Sequence, residues 1–264
     1  MAAHLVRFRL SAVWVLCIAL LVSGCVTTKR GGYTDKTDQK KAFETSLQLA
    51  RNYIAQSNWD QAKRHLQFAE SVDDNNPDTL EALALVFQNT GELETAESYY
   101  KRAIKQVPDR VRIRNNYAGF LFAQQRYAEA AEQLEVVVED LLYERRAEAF
   151  ISLGRCYLQL DKLEKAENAF RRSLLMDNNN GSALLSMAEA VYRLERIAEA
   201  QRYYDAYRDK VQRQSAAGLW LGIRLADAFD DEDAFASYAL ALKNLYPKSE
   251  EFLKLKALQE NRSQ

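Results

Sequence analysis

Residues 115–134 read NNYAGFLFAQQRYAEAAEQL, and two small residues twelve positions apart, Ala118 and Ala130, organise the stretch. Leu121 follows the first by three positions, and Leu134 follows the second by four. Spacings of three, four and seven put apolar side chains on one stripe of a helix. The stretch therefore predicts two helices joined by a short turn at Tyr127, crossing where small side chains let the backbones approach closely.

The same pattern recurs on both sides. Ala62, Ala96, Ala130, Ala166, Ala200 and Ala234 lie 34, 34, 36, 34 and 34 residues apart. Twelve residues before each stands Ala50, Ala84, Ala118, Gly154, Ala188 or Gly222. Three after each of these comes Tyr53, Phe87, Leu121, Tyr157, Val191 or Leu225, and four after each alanine comes Leu66, Tyr100, Leu134, Phe170, Tyr204 or Tyr238. This period and residue choice are the signature of tetratricopeptide repeats, each a pair of antiparallel helices. The expected fold is all-α: a right-handed α-solenoid superhelix of six such repeats, at about 43–76, 77–110, 111–146, 147–180, 181–214 and 215–248. A capping helix with Phe252, Leu253, Leu255 and Leu258 follows and covers the last repeat.

Punctuation agrees with these boundaries. Pro77, Pro108 and Pro247 stand where one repeat hands over to the next, outside helix interiors. DDNN at 73–76 and DNNN at 177–180 mark further turns, and the spacing of 36 locates a two-residue insertion near 141–146. With only 9 Gly and 3 Pro in 264 residues, a fold of many tight hairpin turns is excluded. Two departures stand out. Val137, Ser173 and Tyr207 replace the small residue kept as Ala69, Ala103 and Ala241, and Asp231 stands where Trp59, Leu93, Tyr127, Leu163 and Ile197 are apolar. Packing near the C-terminal end should differ locally.

The first residues read as an address. Arg7 and Arg9 precede an uncharged run from Leu10 to Val22, shorter than the roughly 17–25 residues that a spanning helix needs. The run closes with Val22-Ser23-Gly24-Cys25, which resembles a bacterial lipobox: residues 1–24 would be a lipoprotein signal peptide and Cys25 the lipidated residue. That resemblance implies a diacylglycerol on the cysteine sulfur and a third acyl chain on its amino group, enough for stable anchoring. Val26 is not the aspartate that retains such proteins at the inner membrane, so the periplasmic face of the outer membrane is the expected location. Residues 25–42 hold the lipidated cysteine and a polar, glycine-containing stretch that reads as a flexible tether.

Charge and chemistry exclude several functions. The net charge is −1, and losing Arg7 and Arg9 with the leader brings it to −3, which gives no electrostatic footprint for nucleic acid. The histidines are His4, in the leader, and His65, read as an exposed helix residue; no His or Cys spacing suits a metal. Cys156, alone in the body, reads as a small buried core residue rather than a nucleophile. The acidic run Asp227 to Asp233 lacks the spacing of a calcium loop and reads as a solvated corner. No cofactor, metal or catalytic constellation is expected, and the chain reads as a binding protein, not an enzyme.

Stacked pairs of helices curve so that their first helices line a concave face suited to peptide segments. On the repeat register the lining positions include Leu47, Arg51 and Ile54; Glu81, Gln88 and Asn89; Asn115 and Phe122; Arg155 and Gln159; Tyr192 and Arg193. Leu47 and Ile54 are aliphatic where solvent would favour polar groups, which suggests an apolar docking groove on the first repeat. The alternative is that a neighbouring segment covers them.

The lipobox, the six repeats, NNYAGFLF at 115–122, AQRYYDAY at 200–207 and LGIRLADAFDDEDAFASYALALKNLYP at 221–247 together resemble the type IV pilus biogenesis lipoproteins of the PilF/PilW family. The resemblance spans nearly the whole chain after the leader. It implies a pilotin, which binds subunits of the outer-membrane secretin and promotes their localisation and multimerisation, supporting pilus extrusion and twitching motility. A scaffold for cell-wall enzymes or other envelope assembly is the competing expectation.

Overall fold

The computed structural model of the chain describes residues 36–262. The expected leader, Cys25 and the first part of the expected tether lie outside these residues. Among the described residues there are thirteen helices and no strand. They form six antiparallel pairs: α1 (Lys36–Ala55) with α2 (Trp59–Val72), α3 (Pro77–Thr90) with α4 (Leu93–Gln106), α5 (Val111–Ala123) with α6 (Tyr127–Glu139), α7 (Arg146–Gln159) with α8 (Leu163–Met176), α9 (Gly181–Arg193) with α10 (Ile197–Lys210), and α11 (Ala216–Ala228) with α12 (Glu232–Leu245). A last helix, α13 (Glu250–Arg262), packs on α11 and α12. The helix-only fold and its repeat build are those the alanine period predicts.

The period works through close approach. Ala50, Ala84, Ala118, Ala188 and their partners Ala62, Ala96, Ala130, Ala166 and Ala200 are fully or almost fully buried. Gly154 shows why some repeats need glycine at this crossing. A Cβ there would stand 2.4 Å from the buried ring of Phe170, closer than carbon atoms can pack. Each pair turns through one residue in the left-handed region: Ser57, Gly91, Gln125, Asp161, Glu195 and Asp230. Asparagine sets several starts, as Asn58, Asn76 and Asn180 accept backbone N–H bonds at the heads of α2, α3 and α9. Pro77 is the first residue of α3, where its missing N–H costs nothing. The connection 140–145 is two residues longer than 73–76, 107–110 and 177–180, at the place where the spacing of 36 falls.

Three expectations are corrected. Helix α1 starts at Lys36 and so runs through residues 36–42 that read as tether. Those residues carry no glycine or proline to stop a helix, and the glycine pair lies earlier, at 31 and 32. In the capping helix Leu255 is buried, whereas Leu253 faces solvent.

The third correction is in the sixth repeat. From the small crossing residue to the left-handed turn residue there are seven positions in repeats one to five, as from Ala188 to Glu195, but eight from Gly222 to Asp230. The hydrogen bond that closes the turn moves with it: Arg196 N–H donates to Val191 O, whereas Asp231 N–H donates to Ala226 O. Counted from that turn, Phe235 rather than Ala234 takes the alanine's place. Phe235, Ala239 and Leu242 are then the buried residues of α12, and with Leu219, Ile223, Ala226 and Leu255 they make a second core beneath the capping helix. Asp231 is explained as well, because its carboxylate accepts the Ala234 N–H at 2.9 Å and caps α12. Tyr207, the other departure, is buried where Gly218 leaves room, and its hydroxyl accepts the Ser215 N–H at 3.1 Å.

Candidate peptide-docking groove

An open groove of about 660 Å³ runs across repeats three to six. Phe122 of α5, Leu158 of α7, Leu185 of α9 and Trp220 of α11 supply its apolar surface, and Glu251 and Lys254 of the capping helix close one end. A smaller cavity of about 190 Å³ adjoins it and shares Phe122 and Arg155. Asn115, Gly119 and Ser152 form its mouth and Leu134 and Cys156 its floor.

Charged side chains around the groove are mostly neutralised. The Arg224 guanidinium forms a paired contact with both oxygens of Glu189 and lies over the rings of Tyr192, at 4.7 Å, and Trp220, at 5.5 Å. Arg193 donates to Asp161 at 2.7 Å and to the Leu158 carbonyl at 2.9 Å. Lys254 meets Glu250 at 2.8 Å. Arg155 is different: its contact is the Ser182 hydroxyl at 2.6 Å, and it forms no ion pair among the described residues.

The structure distributes the expected lining residues unevenly. Asn115, Phe122 and Arg155 come together in the small cavity, Gln159 and Arg193 line the main groove, and Tyr192 lies beneath Arg224. Leu47 does not line an open surface. It is buried at 8% exposure in the main core, with Ile54 packed against that core half-buried, so the first repeat offers no apolar groove at these residues. Ile151, at the same position of repeat four, is buried likewise, whereas Asn115 and Leu185 at that position of repeats three and five stay half-exposed and line the cavity and the groove. Arg51 is held by Asp78 at 3.0 Å. Gln88 accepts the Tyr100 hydroxyl proton at 2.9 Å, and Asn89 donates to Leu85 O in its own helix. Glu81 is buried, paired with Arg112 at 2.6 Å and Asn116 at 2.7 Å; burial pushes its carboxyl above the usual range against the pull of these partners. Leu158, Leu185, Glu189, Trp220 and Arg224 were not singled out by sequence. Their positions on first helices were the available signal.

The reactive residue types are used structurally. His65 is half-buried rather than exposed: its ring stacks on Tyr53 and its Nδ1 lies 3.2 Å from the Ser46 hydroxyl. Burial pushes the Cys156 thiol up to about 12, so at neutral pH it stays protonated. Among the described residues no three His, Cys, Asp or Glu side chains are grouped to hold a metal ion, and no helix is long and apolar enough to cross a membrane.

Stacked helical pairs with an open, aromatic-floored groove define a tetratricopeptide-repeat protein, and residues 81–141 and 147–180 each match the tetratricopeptide repeat family. The chain is 38% identical to the type IV pilus assembly protein PilF of Pseudomonas aeruginosa over 248 residues, which cover 93% of this chain and 98% of the relative. It belongs to the PilF family. A solved structure of Pseudomonas aeruginosa PilF superposes with a TM-score of 0.73 over 83% of this chain and 98% of that one. The crystal structure of PilW, described as a widely conserved type IV pilus biogenesis factor, gives 0.72 over 81% and 98% at 24% identity. At that identity the second likeness speaks for the fold alone.

Proposed function

We propose that this chain is a type IV pilus biogenesis lipoprotein of the outer membrane that binds secretin subunits and promotes their multimerisation, acting as a binding protein rather than an enzyme. The observation that carries the reading is the 38% identity to PilF across 98% of that protein's length, which includes every repeat rather than the alanine period alone. The groove across repeats three to six supports it, since an aromatic-floored concave surface suits an extended protein segment. The lipobox ending in Cys25 supports the membrane location. With Lys36 already helical, residues 26–35 give the body a reach of at most about 35 Å from the lipid. Such confinement raises the effective concentration of a weakly held partner without any new contact.

Deleting the gene and following the secretin by gel tests the proposal. Loss of heat-resistant secretin multimers and of twitching, with the secretin monomer still made, is the expected result. Unchanged multimers and normal motility would refute it. Replacing Cys25 with serine should reproduce part of the loss by releasing the body from the membrane.

A further inference from the structure

We infer that Arg155 and the cavity beside Gly119 form a specificity subsite for an internal acidic side chain, Asp or Glu, next to an apolar residue in a docked protein segment. The inference rests on the groove being the docking surface, and names the chemistry that the groove selects.

Three observations converge. Arg155 stands exposed on α7 where the main groove meets the small cavity, and its guanidinium reaches Ser182 but no carboxylate. Repeat one shows what this arrangement looks like when neutralised. Arg51 and Arg155 each follow their repeat's crossing residue by one position, and Asp78 and Ser182 each precede the next crossing residue by six. The two contacts are therefore equivalent, with Arg51 on a carboxylate at 3.0 Å and Arg155 on a hydroxyl at 2.6 Å. A guanidinium donates through five N–H groups, so one hydroxyl leaves its planar fork open to a carboxylate.

The third observation is the cavity itself. A Cβ built on Gly119 meets nothing within 4 Å, so this glycine is not required by packing and instead leaves about 190 Å³ open between Asn115, Ser152 and the Phe122 ring. An apolar side chain entering there would place its neighbour at Arg155. Groove surface continues from Arg155 towards Leu185 and Trp220, and the cavity lies on its other side. A chain can thus pass in both directions, which fits an internal acid and not a chain end. Of the two acidic lining residues, Glu189 is paired with Arg224 and Glu251 lies beyond repeat six.

The test uses the full chain in detergent and a random twelve-residue peptide library with both ends blocked, alongside the same library with free C-termini. Blocked peptides enriched on the protein should carry Asp or Glu beside an apolar residue. Ser182→Asp, which rebuilds the first repeat's ion pair and adds an acid favourable to the first turn of α9, should leave the fold intact and weaken those peptides at least about tenfold. Gly119→Leu should fill the cavity, favour its helix and weaken the same peptides. Enriched peptides without acids, binding unchanged by Ser182→Asp in a folded protein, or enrichment only with free C-termini would each overturn the subsite. Enrichment of no peptide at all would overturn the docking groove as well.

Discussion

Repeats one and four are built alike and present opposite surfaces. Both place a small residue at the helix crossing, a buried aliphatic residue three positions earlier, and an arginine one position later. In repeat one that arginine joins Arg110 and Arg112 around a single carboxylate, Asp78, and the surface closes. In repeat four the matching partner is Ser182, the arginine keeps its charge uncompensated, and Phe122 and Gly119 of α5, in the preceding repeat, leave space beside it. The lesson is that a repeat's apolar skeleton makes the fold, while single residues outside that skeleton decide which part of the concave face stays open.

Phe170 and Leu66 occupy the same buried place in the two repeats, so Phe170→Ala and Leu66→Ala should cost about 3–5 and 2–5 kcal/mol respectively, read by denaturant unfolding. Only the first should also abolish peptide binding at concentrations where the protein remains folded. Equal loss of binding from both would mean that the groove depends on the whole solenoid rather than on its C-terminal half.

Arg155→Ala should weaken enriched peptides at least about tenfold, or about 1.4 kcal/mol or more, with little change in stability, whereas Arg51→Ala should leave binding unchanged. Titration by fluorescence anisotropy separates the two, and equal effects would erase the distinction between the repeats.

Smaller effects come from converting one repeat's chemistry into the other's. Asp78→Ser removes the acid shared by three arginines that are each partly exposed, so it should destabilise by only about 1 kcal/mol in thermal or denaturant melts. A change several times larger would mean that Asp78 is a buried keystone rather than a surface neutraliser.

An effect of similar size is electrostatic and vanishes with falling pH. Hydrogen bonds from Arg126, Lys101 and Tyr117 hold Glu97, between repeats two and three, down at about 2. A carboxyl depressed below its ordinary 4.5 stabilises the fold above that value, and the contribution disappears as pH falls towards 2. After allowance for solvent screening, Glu97→Gln should cost about 1 kcal/mol at pH 7 and almost nothing near pH 2. A cost independent of pH would assign the loss to packing.

Much of the fold was legible because it repeats. Small residues 34 or 36 positions apart serve the crossings of the first five repeats, and the longer connection at 140–145 falls where the spacing lengthens. What escaped the sequence was whatever depends on a neighbour. Ala234 continues the period in the chain, yet one added residue before the turn rotates α12 and gives its place to Phe235. Leu47 looked like an exposed aliphatic on a lining helix, but its depth is set by what packs over it. Arg155 was legible as a lining residue, while its lack of a carboxylate depends on a serine 27 residues away. Periodicity reports which face turns inward; only packed coordinates report which inward positions remain uncovered.

Site-specific photocrosslinking in the envelope tests the central claim directly. A photoreactive residue at Gln159, in the groove, should yield an adduct with secretin subunits, and one at Asn52, exposed on the first repeat, should not. Adducts from Asn52 with none from Gln159 would contradict the account and return the docking surface to the N-terminal repeat.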